Sequence, residues 1–128
     1  MVNNQTIILL YILFIWMVVL HTFEEISQEI YNTTVGRITM TKRKYLIGAG
    51  IITTINLGTL SLIISGSNIG LYLGIFTSST IGVLQAPIHA FGFFREGRKA
   101  RNLGAGFYSS IPLAITGLVL LITILKEI

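Results

Sequence analysis

The sequence predicts an all-α polytopic membrane protein, a bundle of four transmembrane helices forming one domain. Three observations predict it. The 128 residues are 52% hydrophobic and only 11% charged, against about 25% charged in soluble globular domains, and mean hydropathy is +0.78. The apolar residues gather into four long runs instead of spreading along the chain. Those runs are also continuous, whereas the strands of a membrane barrel are about ten residues long and alternate in polarity. Since hydrocarbon admits only helices and closed barrels, continuous runs mean helices.

The first span, residues 7–23, reads "IILLYILFIWMVVLHTF" and at the helical rise is about 26 Å long, just enough to cross a bilayer core. It lacks the basic start and small-residue cleavage site of a signal peptide, so it is expected to be retained. The second span covers residues 45–65 and the third 69–94. The third carries Gly66, Gly70, Gly74, Ser78, Gly82, Ala86 and Ala90, a small residue at every fourth position. Such a ridge lets another backbone approach closely. The ridge drifts by about 40° per step, so no single helix can use all of it. Its partner can belong to the same chain or to another copy, and a homo-oligomer stays open. The fourth span covers residues 107–125. Pro87 and Pro112 lie inside the third and fourth spans, where each removes a helical donor and predicts a kink that makes room for a cavity.

Orientation follows from charge. Of nine Lys and Arg residues, eight lie in the connections 24–44 and 95–102 (Arg37, Lys42, Arg43, Lys44; Arg95, Arg98, Lys99, Arg101) and only Lys126 lies elsewhere. The positive-inside rule makes those loops cytoplasmic and puts both termini outside, in the cell membrane. Topology thus accounts for the net charge of +4, with anionic lipid as the partner of the basic loops and no nucleic acid. The chain has no cysteine, which excludes disulfides, thiolate metal sites and cysteine nucleophiles. Phosphate-loop, dinucleotide and nucleophilic-serine motifs are absent too.

Within the spans the costly residues are His21, Glu24, Glu25, Asn56, Gln85 and His89. Ionisable groups inside a membrane mark functional sites by default. His21 lies near the inner end of the first helix, with Glu24 and Glu25 one turn on, and His89 stands six residues, about 9 Å, before Arg95, so the two imidazoles sit at similar depth. His21 and Glu25 are four apart, as are Gln85 and His89, and such pairs share a helical face. If the faces meet, His21, His89, Glu24 and Glu25 form the ligand set of a catalytic zinc site or a two-histidine, one-carboxylate iron site. Gln85 or Tyr108 would supply supporting hydrogen bonds. Asn56, near the middle of the second span, reads as an interhelical hydrogen-bonding residue.

The motif "HTFEE", Asn56, His89 and the stretch "ARNLGAGFYSSIPLA" containing Tyr108 and Pro112 resemble the HXXEE-domain proteins, a family of small multi-span membrane proteins. The likeness runs along essentially the whole chain. Gln85 stands where the family pattern has Asn, and "LGAG" stands where it has Tyr-x-Pro-Gly. The resemblance implies the membrane architecture and assigns no activity.

Three functions fit these residues. The first is a membrane-embedded metal-dependent enzyme acting on a lipid-like or amphiphilic small molecule, with Glu24 as general base and Tyr108 as a further catalytic group. The second is a small-molecule or proton-coupled transporter or receptor in which His21 and Glu25 relay a proton, which would need at least a dimer. The third is a structural or immunity-type accessory protein in which the polar cluster fixes packing.

Overall fold

The structure, a computed structural model, describes residues 4–35, 37–96 and 104–128. Its helices are α1 (Asn4–Ser27), α2 (Lys42–Ile64), α3 (Asn68–Thr77), α4 (Gln85–Glu96) and α5 (Phe107–Leu125); a wide π-helical turn, Ser78–Val83, joins α3 to α4. A two-stranded antiparallel ribbon, β1 (Thr34–Val35) with β2 (Ile38–Thr39), lies in the connection from α1 to α2. Four helices are long and apolar enough to cross a membrane: Asn4–Ser27, Lys42–Ile64, Asn68–Arg95 as one continuous span, and Phe107–Leu125. The architecture is an all-α four-helix bundle.

Each helix turns a seam inward at alternating spacings of three and four. On α1 the buried residues are Ile7, Tyr11, Phe14, Val18 and His21, on α5 Ser110, Leu113, Gly117, Leu120 and Ile124, and on α2 Asn56, Thr59 and Ile63. That period near 3.5 keeps one face against its neighbours along the whole bundle. The opposite faces are equally apolar, with Leu9, Trp16 and Phe23 of α1 exposed. The interior is where polar side chains collect. The Tyr11 hydroxyl donates to Asn56 Oδ1 at 3.1 Å and lies 2.7 Å from Thr77 Oγ1, so Asn56 ties α2 to α1 and α3 and stands apart from the histidines.

The small-residue ridge finds its partners within the chain. A methyl on Gly70 would lie 2.6 Å from the Ile63 nitrogen in α2, one on Gly74 2.8 Å from Ile124 Cδ1 in α5, and one on Gly82 2.9 Å from Phe14 of α1 and 3.0 Å from the Gly117 Cα. The ridge therefore turns from α2 to α5 and α1 as it descends, as its drift requires. Gly117 faces backbone: its own added Cβ would lie 2.9 Å from both the Gly82 Cα and the Ser78 carbonyl oxygen. Backbone cannot rotate away, so Gly117→Ala is expected to destabilise the bundle by about 1–3 kcal/mol. Gly58→Ala, which meets nothing within 4 Å, is expected to be neutral or mildly stabilising. Unfolding midpoints in detergent test the contrast, and equal midpoints would argue against close contact of the two spans.

The prolines act differently from each other. Pro87 stands in the first turn of α4, directly after the wide turn, so the helix restarts around its missing donor. Within that turn the Leu84 nitrogen reaches back five residues to the Ser79 carbonyl at 3.0 Å. A wide turn holds one residue more than an α-turn and sets the rest of the span back by about 100°. Pro112 lies inside α5, about one and a half turns from its start. The basic connections are shorter than the charge pattern suggests. α1 continues through Glu24 and Glu25 to Ser27, and Lys42, Arg43 and Lys44 form the first turn of α2, capped by Thr41. Arg98, Lys99 and Arg101 lie outside the described residues.

Candidate metal centre

The inward seam of α1 continues past Val18 to His21 and Glu25. From the third span His89, only 2% exposed, comes to meet them. Glu25 Oε1 lies 3.5 Å from His21 Nε2 and 3.3 Å from His89 Nε2, and the imidazoles stand edge to face, ring centres 4.7 Å apart at 78°. One donor atom from each of His21, Glu25 and His89 fits within a mutual distance of 4.8 Å, a group that can hold a metal ion. His21 Nε2 is buried, and its approach to Glu25 is not a hydrogen bond, so among the described residues this nitrogen is without a hydrogen-bond partner.

The surroundings fix which nitrogen of His21 carries the proton. Its Nδ1 lies 2.9 Å from Ser109 Oγ. Ser109 in turn donates its hydroxyl to Glu24 Oε2, which also accepts from the Ser109 backbone nitrogen at 2.7 Å. A hydroxyl has one proton, and the carboxylate is a much stronger acceptor than the Gly106 carbonyl 3.3 Å away. Ser109 therefore donates to Glu24 and must accept from His21, which assigns the proton to Nδ1. The lone pair of Nε2 is left pointing at Glu25 and His89. Metal-binding histidines take this arrangement, with the distal nitrogen held by an outer acceptor that sets tautomer and ring orientation.

The other ligands are braced as well. Tyr45, in the first turns of α2, donates its hydroxyl to Glu25 Oε2 at 2.7 Å, leaving Oε1 for the imidazoles. Gln85 Oε1 lies 3.2 Å from His89 Nε2; an amide oxygen only accepts, so it takes the proton of the nitrogen that must release it before His89 can bind a metal through that atom. Gly106, just ahead of α5, has φ +84, and a Cβ there would lie 2.8 Å from Glu25 Cγ and 2.9 Å from His21 Cε1. Its nitrogen donates to Gln28 Oε1 at 3.2 Å, which fastens the start of α5 to the end of α1. A cavity of about 330 Å³ opens beside the group; His21, Glu25, Gln85 and Tyr45 border it, and Val18 and Ile52 are among its apolar walls.

The structure thus brings His21, Glu25, His89 and Gln85 together and separates the other residues singled out in the sequence. Glu24 is not in the three-ligand group. One residue along a helix is a turn of about 100°, which directs Glu24 to Ser109 while Glu25 faces the histidines. Tyr108 is corrected similarly: it is 46% exposed and packs its ring near Phe93 and Phe107, while its neighbour Ser109 faces the site. Asn56 belongs to the Tyr11 network. Ser109, Tyr45, Gly106 and Gln28 carry no metal-ligand signal, and only the seam of α5, which places position 109 or 110 inward, points to the first of them.

Comparison of the chain with models of protein families, with curated proteins and with solved structures returns no match.

Proposed function

We propose that the chain is a membrane-embedded, zinc-dependent enzyme acting on a lipid-like or amphiphilic small molecule, with His21, Glu25 and His89 as the metal ligands. The observation that carries this reading is the grouping of His21, Glu25 and His89 beside a mostly apolar cavity, with the buried Nε2 of His21 lacking a hydrogen-bond partner among the described residues. The ligand set suits zinc, whose usual protein ligands include histidine and carboxylate; the two N···O distances are 3.5 and 3.3 Å and all three donors lie within 4.8 Å of one another. Three protein ligands leave the fourth position that a catalytic zinc requires.

Zinc would supply Lewis acidity toward a carbonyl or phosphoryl oxygen of the substrate. The protein's own part is to orient and to move protons. Tyr45 holds Glu25 and borders the cavity, which makes it, in place of Tyr108, the tyrosine positioned to serve as a further catalytic group. Glu24 holds His21 through Ser109 instead of acting on substrate directly. The asymmetry of basic residues supports assigning this end of the bundle to the cytoplasmic side of the cell membrane, and the "HTFEE" motif supports placing the chain with the HXXEE-domain proteins.

The test is the spectrum of protein loaded with cobalt(II) in place of zinc. It is expected to show the intense visible absorption of a four-coordinate ion, and dodecanohydroxamic acid should perturb it at concentrations at least about 100-fold lower than acetohydroxamic acid, since each buried methylene contributes roughly 0.8 kcal/mol. A spectrum indifferent to both hydroxamates would indicate a closed, structural site. Proton-coupled ligand binding is a second reading, favoured by the Glu24–Ser109–His21 chain of hydrogen bonds; protein that takes up no cobalt would favour it.

A further inference from the structure

The cavity has an order along the bundle axis. Lys44 and Tyr45 border it near the start of α2, and Ile52 borders it two turns further in; on α1, Glu25, His21 and Val18 follow in the same direction. From Lys44 to Ile52 is about 12 Å at the helical rise. Lys44 thus stands at the end of the cavity formed by the α1–α2 connection, where Ile30, Ile38 and Met40 also line it, the His21–Glu25 group follows, and Val18 and Ile52 line the inner end. Its volume of about 330 Å³ is near the lower limit of small-molecule sites, roughly 300–1,000 Å³, and accommodates one chain but not the two chains of a phospholipid.

Lys44 adds charge where the helix already provides it. It stands with Lys42 and Arg43 in the first turn of α2, where the helix dipole is positive and cations are disfavoured. Among the described residues its ammonium makes one hydrogen bond, to the Thr39 carbonyl at 3.4 Å. The carboxylate bordering the cavity, Glu25, turns Oε1 to the two imidazoles and Oε2 to Tyr45. His21, whose buried Nε2 has no hydrogen-bond partner among the described residues, borders the same space. An exposed cation at one end, a His–Glu group beside it and an apolar wall beyond suit a ligand that is anionic at one end and apolar at the other.

We propose that this cavity binds a single-chain amphiphile with an anionic head group, the head paired with Lys44, the bonds just below it beside His21 and Glu25, and the chain along Val18 and Ile52. The proposal names the substrate class of the zinc-enzyme reading, and rests on that reading for what happens to the ligand but not for its binding. The reacting bond is then the one next to the head group, and the tail selects by length.

The experiment measures binding to the purified full chain in nanodiscs of zwitterionic lipid, with and without zinc, using dodecyl phosphate, dodecyltrimethylammonium and inorganic phosphate. Dodecyl phosphate should bind one per chain and at least tenfold more tightly than either other probe. Lys44→Gln should remove that tenfold preference and leave dodecyltrimethylammonium unchanged. Gly48→Leu should abolish specific binding of the alkyl probes, because Gly48 borders the cavity and a Cβ there meets nothing within 4 Å, so the new side chain enters open space. If that variant does not fold, Ile52→Phe replaces it. Equal binding of the anionic and cationic chains, or unchanged binding in the filled variant, would overturn the proposal. Dodecyl phosphate binding in protein that never takes up zinc would leave it standing and remove the zinc-dependent reading; zinc uptake without amphiphile preference would do the reverse.

Discussion

Gly106→Val is expected to be among the most damaging single substitutions in the chain and to weaken zinc binding together with the fold. Gly106 has φ +84, a left-handed conformation that costs a residue with a side chain about 1–2 kcal/mol. Its missing Cβ is also the space that His21 and Glu25 occupy, with the nearest atoms 2.8 and 2.9 Å from where it would stand. Overpacking of that kind costs about 1–3 kcal/mol more. The total is about 2–5 kcal/mol, and relieving it means moving two ligands. Gly66 provides the control. It too has positive φ, +75, in the turn from α2 to α3, but nothing lies within 4 Å of its added Cβ. Gly66→Ala should lose stability by the backbone cost alone and keep wild-type zinc affinity. Unfolding midpoints and zinc titrations on both variants check this, and wild-type zinc affinity in Gly106→Val would show that α5 does not press against the site.

Ser109→Ala is expected to lower zinc affinity by about 10–100-fold, the usual effect of removing an outer partner of a metal-bound histidine, although Ser109 is not itself a ligand. Without the hydroxyl, His21 Nδ1 loses its acceptor and the imidazole can adopt the tautomer that puts a proton where the metal lone pair is needed. Glu24→Ala should have a similar effect, because the carboxylate acts on His21 only through Ser109. The double variant should be little worse than either single one, since residues in one network are not additive. Ser109→Thr, which keeps the hydroxyl, should restore affinity. Additive losses would mean that Glu24 reaches the metal by another route, as a ligand or base in its own right.

Much of this site is legible in the chain, and the remainder shows what hydropathy cannot encode. The spacings His21 to Glu25 and Gln85 to His89 each fix a helical face, and counting from Arg95 matches the depths of the two imidazoles. Whether those faces meet depends on the rotation of the third span. That rotation is set by the wide turn at Ser78–Val83, which leaves no mark in an apolar sequence, and by the contact of Gly82 with Gly117, of which the ridge of small residues marks one side without naming the partner. In a soluble bundle, polarity would separate inside from outside. Here both faces are apolar, so the inward seam of α1 is marked only by its polar members, Tyr11, His21 and Glu25. The choice between Glu24 and Glu25, and between Tyr108 and Ser109, is a choice between adjacent residues about 100° apart. For the first pair, extending the seam from Ile7 through Tyr11, Phe14, Val18 and His21 to Glu25 would have decided it. For the second, the start of α5 at Phe107 had to be known.

Metal content, measured by elemental analysis of the full chain reconstituted with zinc and dialysed free of excess, bears most directly on the claim that His21, Glu25 and His89 form one ligand sphere. About one zinc per wild-type chain is expected and close to none in His89→Ala, with the helical circular dichroism of the two proteins the same. A wild-type content far below one, or a full complement retained by His89→Ala, would contradict the claim.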